Sequence, residues 1–142
     1  MRLALLLMIG LSTPAFALND LQIQAACYTD CDKETNSNGD LKACLARAAD
    51  TADGVLNHDF TSLLDAIKKQ ATDMSMPPDA QLGKLKDAQQ SWTAFRDAAC
   101  DFEDSLAFGA SATGGLHSSC VCALTYGRIN DFERIRHSVL GQ

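Results

Sequence analysis

Three stretches of the chain place apolar residues three or four positions apart, the spacing that collects them on one face of an α-helix. The first runs Leu41, Leu45, Ala48, Ala52, Leu56, Phe60, Leu63 and Ile67. Asp40 is expected to cap this helix, and Gly54 to bend it without ending it. A second stripe carries Leu85, Ala88, Trp92, Phe95, Ala99, Phe102 and Leu106, and a third holds Val121, Leu124, Arg128, Phe132, Ile135 and Val139. Asn36-Ser37-Asn38-Gly39 reads as a turn, Met74 to Pro78 as a break with its Pro-Pro pair, and Gly109 to Gly115 as a loop of small residues. A short segment, residues 19–34, also admits a helix. Nowhere do β-branched residues alternate with polar ones as a half-buried strand requires. Each long helix is apolar on one face only, so the helices must cover one another. The prediction is an all-α fold, a small disulfide-stapled bundle of three to four helices.

The first residues follow a different pattern. Met1-Arg2 is a positive start, Leu3 to Leu11 a short apolar run, and Ala15-Phe16-Ala17 a small-x-small cleavage pattern after Pro14. Residues 1–17 are therefore expected to be a signal peptide cut near Ala17, with 18–142 forming one domain in the periplasm or secreted. The apolar run falls short of the roughly 20 residues of a membrane span, and Leu18, not Cys, follows the expected cut, so neither span nor lipid anchor is expected. Losing 17 of 142 residues leaves 125, enough for one core. The formal charge of −6 becomes −7 without Arg2. Such an acidic chain is a poor nucleic-acid binder, since phosphate neutralisation needs surplus Lys and Arg. It is suited to meeting a cationic partner.

Export decides how the six cysteines read. Cys27, Cys31, Cys44, Cys100, Cys120 and Cys122 are an even set in an oxidising compartment, where disulfides are the default. Cys31 and Cys44 flank the turn, Cys100 and Cys120 flank the glycine loop, and a bridge across either would staple neighbouring segments. Cys27 with Cys122 would tie the two chain ends together. Spacing alone does not choose among the possible pairings. The rival is a metal site from Cys27-x3-Cys31 and Cys120-x-Cys122, disfavoured because zinc thiolate sites use C-x2–4-C in both halves and a reducing setting, whereas one half here is C-x-C and the compartment oxidises.

Candidate chemistry is sparse. His58, His117 and His137 are scattered, and no metalloprotease helix motif, nucleophile elbow or phosphate-binding glycine loop is present. A Cys nucleophile beside His117 would need an unpaired thiol. No enzyme, cofactor or metal is expected. Asp101, Glu103 and Asp104 cluster on one helix, which is commonly a solvated face. Gln89, Arg96, Cys100 and Glu103 form a row beside the apolar stripe. Arg96 has no acid at i±3 or i±4, so its partner must come mainly from another helix, with Asp50, Asp53 and Asp59 as candidates. The favoured reading is an architectural Arg whose stem covers Trp92, against a partner-binding Arg. The glycine loop is either a plain connector or a binding edge held at both ends.

At these residues the chain resembles the N-terminal domain of the LprI-type lysozyme inhibitor family. The resemblance rests on Leu85-x2-Ala88-Gln89-x2-Trp92-x2-Phe95-Arg96-Asp97-x2-Cys100, a Gly/Ser loop, then Ser119-Cys120-x3-Leu124-Thr125-x2-Arg128. A looser upstream match covers Cys31, Cys44, Ala49-Asp50, Leu56-Asn57, Phe60 and Leu63. It implies an exported, disulfide-bridged helical domain that inhibits lysozyme, with Cys31 paired to Cys44 and Cys100 to Cys120. Cys27 and Cys122 are additional to the family's usual set, which supports their pairing with each other. The family's naming member is a lipoprotein, which this chain is not expected to be. Gln89, Trp92, Arg96 and Arg128 match as structural motif residues. The expected function is binding and inhibition of a lysozyme-like, basic peptidoglycan-cleaving hydrolase. Partner contacts are assigned to Asp101, Glu103, Asp104, Ser111, Thr113 and His117, with the Gly109–Gly115 loop and these acids occluding the cleft. The alternative is an immunity-type or scaffold module of the envelope that binds another protein.

Overall fold

The computed structural model describes Cys27, Cys31 and residues 37–111 and 113–141. Residues 1–17 and, the two cysteines apart, the 19–34 segment lie outside the described residues. Three helices follow one another within them: α1 (Asn38–Asp73), α2 (Asp79–Ser105) and α3 (Gly115–Ser138). The fold is all-α, a bundle stapled by disulfides.

Helix α1 is unbroken across Gly54 and, at 36 residues, spans about 54 Å. Its cap is Ser37, three residues before the expected Asp40. Ser37 has extended backbone, its Oγ accepts from the Asp40 N–H at 3.2 Å, and it donates to Asp40 Oδ2 at 2.7 Å. The two side chains brace each other as a serine–acid capping pair, and the Asp40 charge also meets the positive end of the helix. Asn38 and Gly39, read as part of a turn, are the helix's first residues. At the other end, the amides of Ser75 and Met76 reach back to Thr72 and Ala71. Ser75 takes the left-handed backbone (φ 55°) that this closure demands. Pro77-Pro78 then prevents continuation.

Helix α3 is the central element. It packs along α1 and against α2, whereas α1 and α2 barely touch each other. Its buried row is Val121, Thr125, Ile129 and Phe132, with Cys120 and Cys122 beside it. The core has two parts. Ala49 and Ala52 let α3 approach α1 closely around the cysteines. Further along, Leu56, Leu63, Ile129 and Phe132 form an aliphatic and aromatic cluster, with the Phe60 and Phe132 rings 6.1 Å apart. Val139, assigned to the third stripe, lies just beyond α3 and is exposed.

All six cysteines are bridged: Cys27–Cys122, Cys31–Cys44 and Cys100–Cys120. The first bridge closes a separation of 95 residues, the others 13 and 20. With every thiol consumed, the alternative of a thiolate metal site does not apply.

The α2 stripe departs from expectation. Phe95, Phe102 and Leu106 are exposed, while the fully buried positions of α2 are Arg96 and Cys100. Leu85 and Trp92 still pack on the core, so the buried edge is turned from the centre of the stripe by less than the 100° of one residue. The reason is that, among the described residues, α2 packs mainly on α3 and is anchored to it by the Cys100–Cys120 bridge and by Arg96. Those anchors, not the widest apolar sector, decide which edge is buried.

Candidate functional site

Arg96 is 8% exposed and reaches side chains on all three helices. Its Nη1 donates to Asp53 Oδ1 on α1 and, at 3.0 Å, to Thr125 Oγ1 on α3. Its Nε donates to Asp97 Oδ1, also at 3.0 Å. One guanidinium thus links all three helices, using the forked geometry that Lys lacks. Of the acids named as partners, Asp53 is the one engaged. Asp97, adjacent in sequence, was missed by a search restricted to i±3 and i±4. Thr125 was missed as a polar core residue, although it belongs to the same four-residue row as Val121 and Ile129.

Trp92 lies between two cations, with the Arg96 guanidinium 5.3 Å and the Arg128 guanidinium 5.7 Å from its ring centre. Arg128 also stands 4.8 Å from the Phe132 ring and donates from Nε to Gln89 Oε1 at 3.1 Å. Gln89, Trp92, Arg96 and Arg128 therefore form one connected layer between α2 and α3. Each aromatic–cation contact of this kind contributes about 0.5–2 kcal/mol, more when desolvated. Because α1 and α2 stand apart, a groove of about 430 Å³ opens between them over α3, with Arg96 on its floor and Asp50, Asp53 and Asp97 at its edges.

The acids near the end of α2 have different placements. Asp104 Oδ1 accepts the Gly114 N–H at 2.6 Å and the His117 N–H at 3.2 Å. Gly114, the residue before α3, has φ 83° and no side chain, so Asp104 supplies from ten residues upstream the cap that α3 lacks. Asp101 is exposed and its Oδ1 lies 3.2 Å from His117 Nε2. Glu103 and Ser111 are exposed, and Thr113 is half-buried with its hydroxyl turned inward. Asp101 and His117 are brought together, as are Asp104 and the start of α3, while Ser111 faces a separate hollow beside Leu41, Lys42 and Leu116. Gly115 is not part of the loop: it is the first residue of α3, buried against Lys42 and Leu45 of α1.

The connector between α2 and α3 is thus held at three points, by Cys100–Cys120, by Asp101 with His117, and by the Asp104 cap. Phe108 projects from it, 90% exposed, with φ 48°. That combination was not foreseen: a bulky residue in the left-handed region, pointing into solvent, is costly by about 1–2 kcal/mol. Among the described residues no group of three or more acidic, His or Cys side chains could hold a metal. No described helix is long and apolar enough to cross a membrane.

A protein-family model described as lysozyme inhibitor LprI matches residues 30–132. Comparison with curated proteins and with solved structures finds no match.

Proposed function

The chain belongs to the LprI lysozyme inhibitor family, and from that premise we propose that it is exported and binds and inhibits a lysozyme or a related peptidoglycan-cleaving enzyme. The family match over residues 30–132 is the observation that carries this reading. The family is one of inhibitors, which implies a protein partner, and three disulfides accord with an extracytoplasmic setting. On this reading residues 1–17 direct export and are removed near Ala17, leaving 18–142 as the working domain.

The chemistry of inhibition is occlusion. A net charge of −7 for residues 18–142, the −6 of the whole chain less Arg2, favours approach to a strongly basic hydrolase, with an on-rate that falls as salt rises. The connector after α2 is the proposed inhibitory edge, with Asp101 and Glu103 beside it. Its ends are pinned by the Cys100–Cys120 bridge and the Asp104 cap, so little conformational entropy is lost on binding. Asp104 acts through this pinning rather than by free contact.

The test is a bacterial turbidity assay in which oxidised protein (Leu18–Gln142) is titrated against chicken-type, goose-type and invertebrate-type lysozymes at low and moderate salt. Stoichiometric, salt-sensitive protection from one class is expected. Absence of protection from every class at large molar excess would overturn the reading.

A further inference from the structure

We infer that Phe95, Phe102, Leu106 and Phe108 form the apolar centre of a docking surface for a cationic hydrolase; the inference rests on the inhibitor reading and assigns its contact face. Phe95, Phe102 and Leu106 are spaced by seven and four residues, so they share one face of α2 over about 16 Å. They are 60%, 66% and 52% exposed, and Phe108 follows at 90%.

Apolar side chains on this scale are not surplus core. At about 150–250 Å² per aromatic side chain when fully counted, the exposed portions, with half of Leu106, sum to roughly 400–600 Å². A patch of that size on a single-chain protein is commonly a binding surface. It matches the apolar centre of an interface that buries about 800 Å² per partner. Phe108 adds to the same surface: it sits in the turn that closes α2, where its N–H reaches back to the Ser105 carbonyl, and its ring is left in solvent.

The surrounding charge selects the occupant. From Asp97 through Gly127 the sequence holds four acids and no Lys or Arg; Asp97 is paired with Arg96 and Asp104 caps α3, so the exposed Asp101 (beside His117) and Glu103, which flank Phe102, are the acids that face a partner. Aromatic anchors rimmed by carboxylates suit a partner that offers an apolar hollow bordered by Lys and Arg. A second copy of this chain would instead bring acid against acid, a repulsive pairing.

The experiment uses the oxidised protein with the lysozyme that it protects against, and reads association and dissociation rates at several salt concentrations. Phe102→Ser with Leu106→Ser, and separately Phe108→Ser, are expected to weaken binding by about tenfold or more each, through faster dissociation. Their salt dependence should match the parent, because no charge is altered. Asp101→Asn with Glu103→Gln should do the opposite, slowing association and flattening the salt dependence. Unchanged circular dichroism and intact bridges establish that the exposed substitutions leave the fold in place. If the apolar variants bind as the parent does, the docking face is overturned while the inhibitor reading stands. If the parent binds no lysozyme of any class, both fall together. If the free protein sediments as a dimer that Phe102→Ser dissociates, the ridge is a self-interface and the inference is overturned.

Discussion

Asp104 tests the account most directly, because sequence reasoning grouped it with partner contacts whereas the structure makes it the cap of α3. Replacing it with Ala leaves the Gly114 and His117 amides at the start of α3 without their acceptor. Loss of a capping side chain costs about 0.5–2 kcal/mol, typically near 1. Loss of a negative charge from a helix N-terminus adds about 0.3–1 kcal/mol at a partly exposed site. Against this, the carboxylate sits in the last turn of α2, at that helix's negative end, and its removal returns about 0.3 kcal/mol. The net expectation is about 1–2 kcal/mol, or a fall in Tm of roughly 3–8 °C for a chain of this size. Asp104→Asn keeps an oxygen acceptor and loses the charge, so it should cost about half as much. Thermal unfolding followed by circular dichroism with the bridges intact measures the change, and hydrogen exchange of the Gly114 and His117 amides locates it. An Asp104→Ala protein that melts with the parent and protects both amides equally would refute the cap.

Four further outcomes follow from the rest of the fold. In the chain-entropy account a bridge stabilises more as its loop lengthens, so removing Cys27–Cys122 (separation 95) should cost about 4.7 kcal/mol and removing Cys100–Cys120 (separation 20) about 3.3; urea midpoints of the paired Cys→Ala variants give the order, and a reversed order would contradict it. Arg96→Lys keeps the charge but cannot serve Asp53, Asp97 and Thr125 together, and should lose about 1–3 kcal/mol. Because the Asp53 side chain is 41% exposed, its coupling to Arg96 in a double-mutant cycle with Asp53→Asn should stay near 1 kcal/mol; a coupling above about 3 kcal/mol would mean a dry, fully buried pair. Ser75→Gly relieves a left-handed non-glycine residue at the end of α1 and should raise Tm by a few degrees, measured by calorimetry; a fall would show that Ser75 is not strained.

The helices were legible because their signals are local. Apolar spacing marked α1 from Leu41 to Ile67, the prolines marked its end, and a Gly-rich stretch marked the way into α3. The start of α1 lies three residues earlier than Asp40 suggests, because Ser37 caps the helix and bonds Asp40 in return. The Cys31–Cys44 and Cys100–Cys120 bridges were legible through family resemblance and the loops they close, and Cys27–Cys122 through what remained.

What only the tertiary structure decided is the direction in which each helix faces. Periodicity shows that α2 has an apolar sector, but burial depends on what stands opposite, and among the described residues α2 packs mainly on α3. A single disulfide and one buried guanidinium outweigh a stripe of phenylalanines in setting its roll, since both are short-range and directional whereas apolar burial is not. The same holds for Asp104. Its helical neighbours in sequence say surface acid, and only the return of the chain at Gly114 places two unsatisfied amides within its reach. By itself the sequence determined the class of fold, the helix bounds to within a few residues and the family; the packing determined which residues are core, which are caps and which are left exposed.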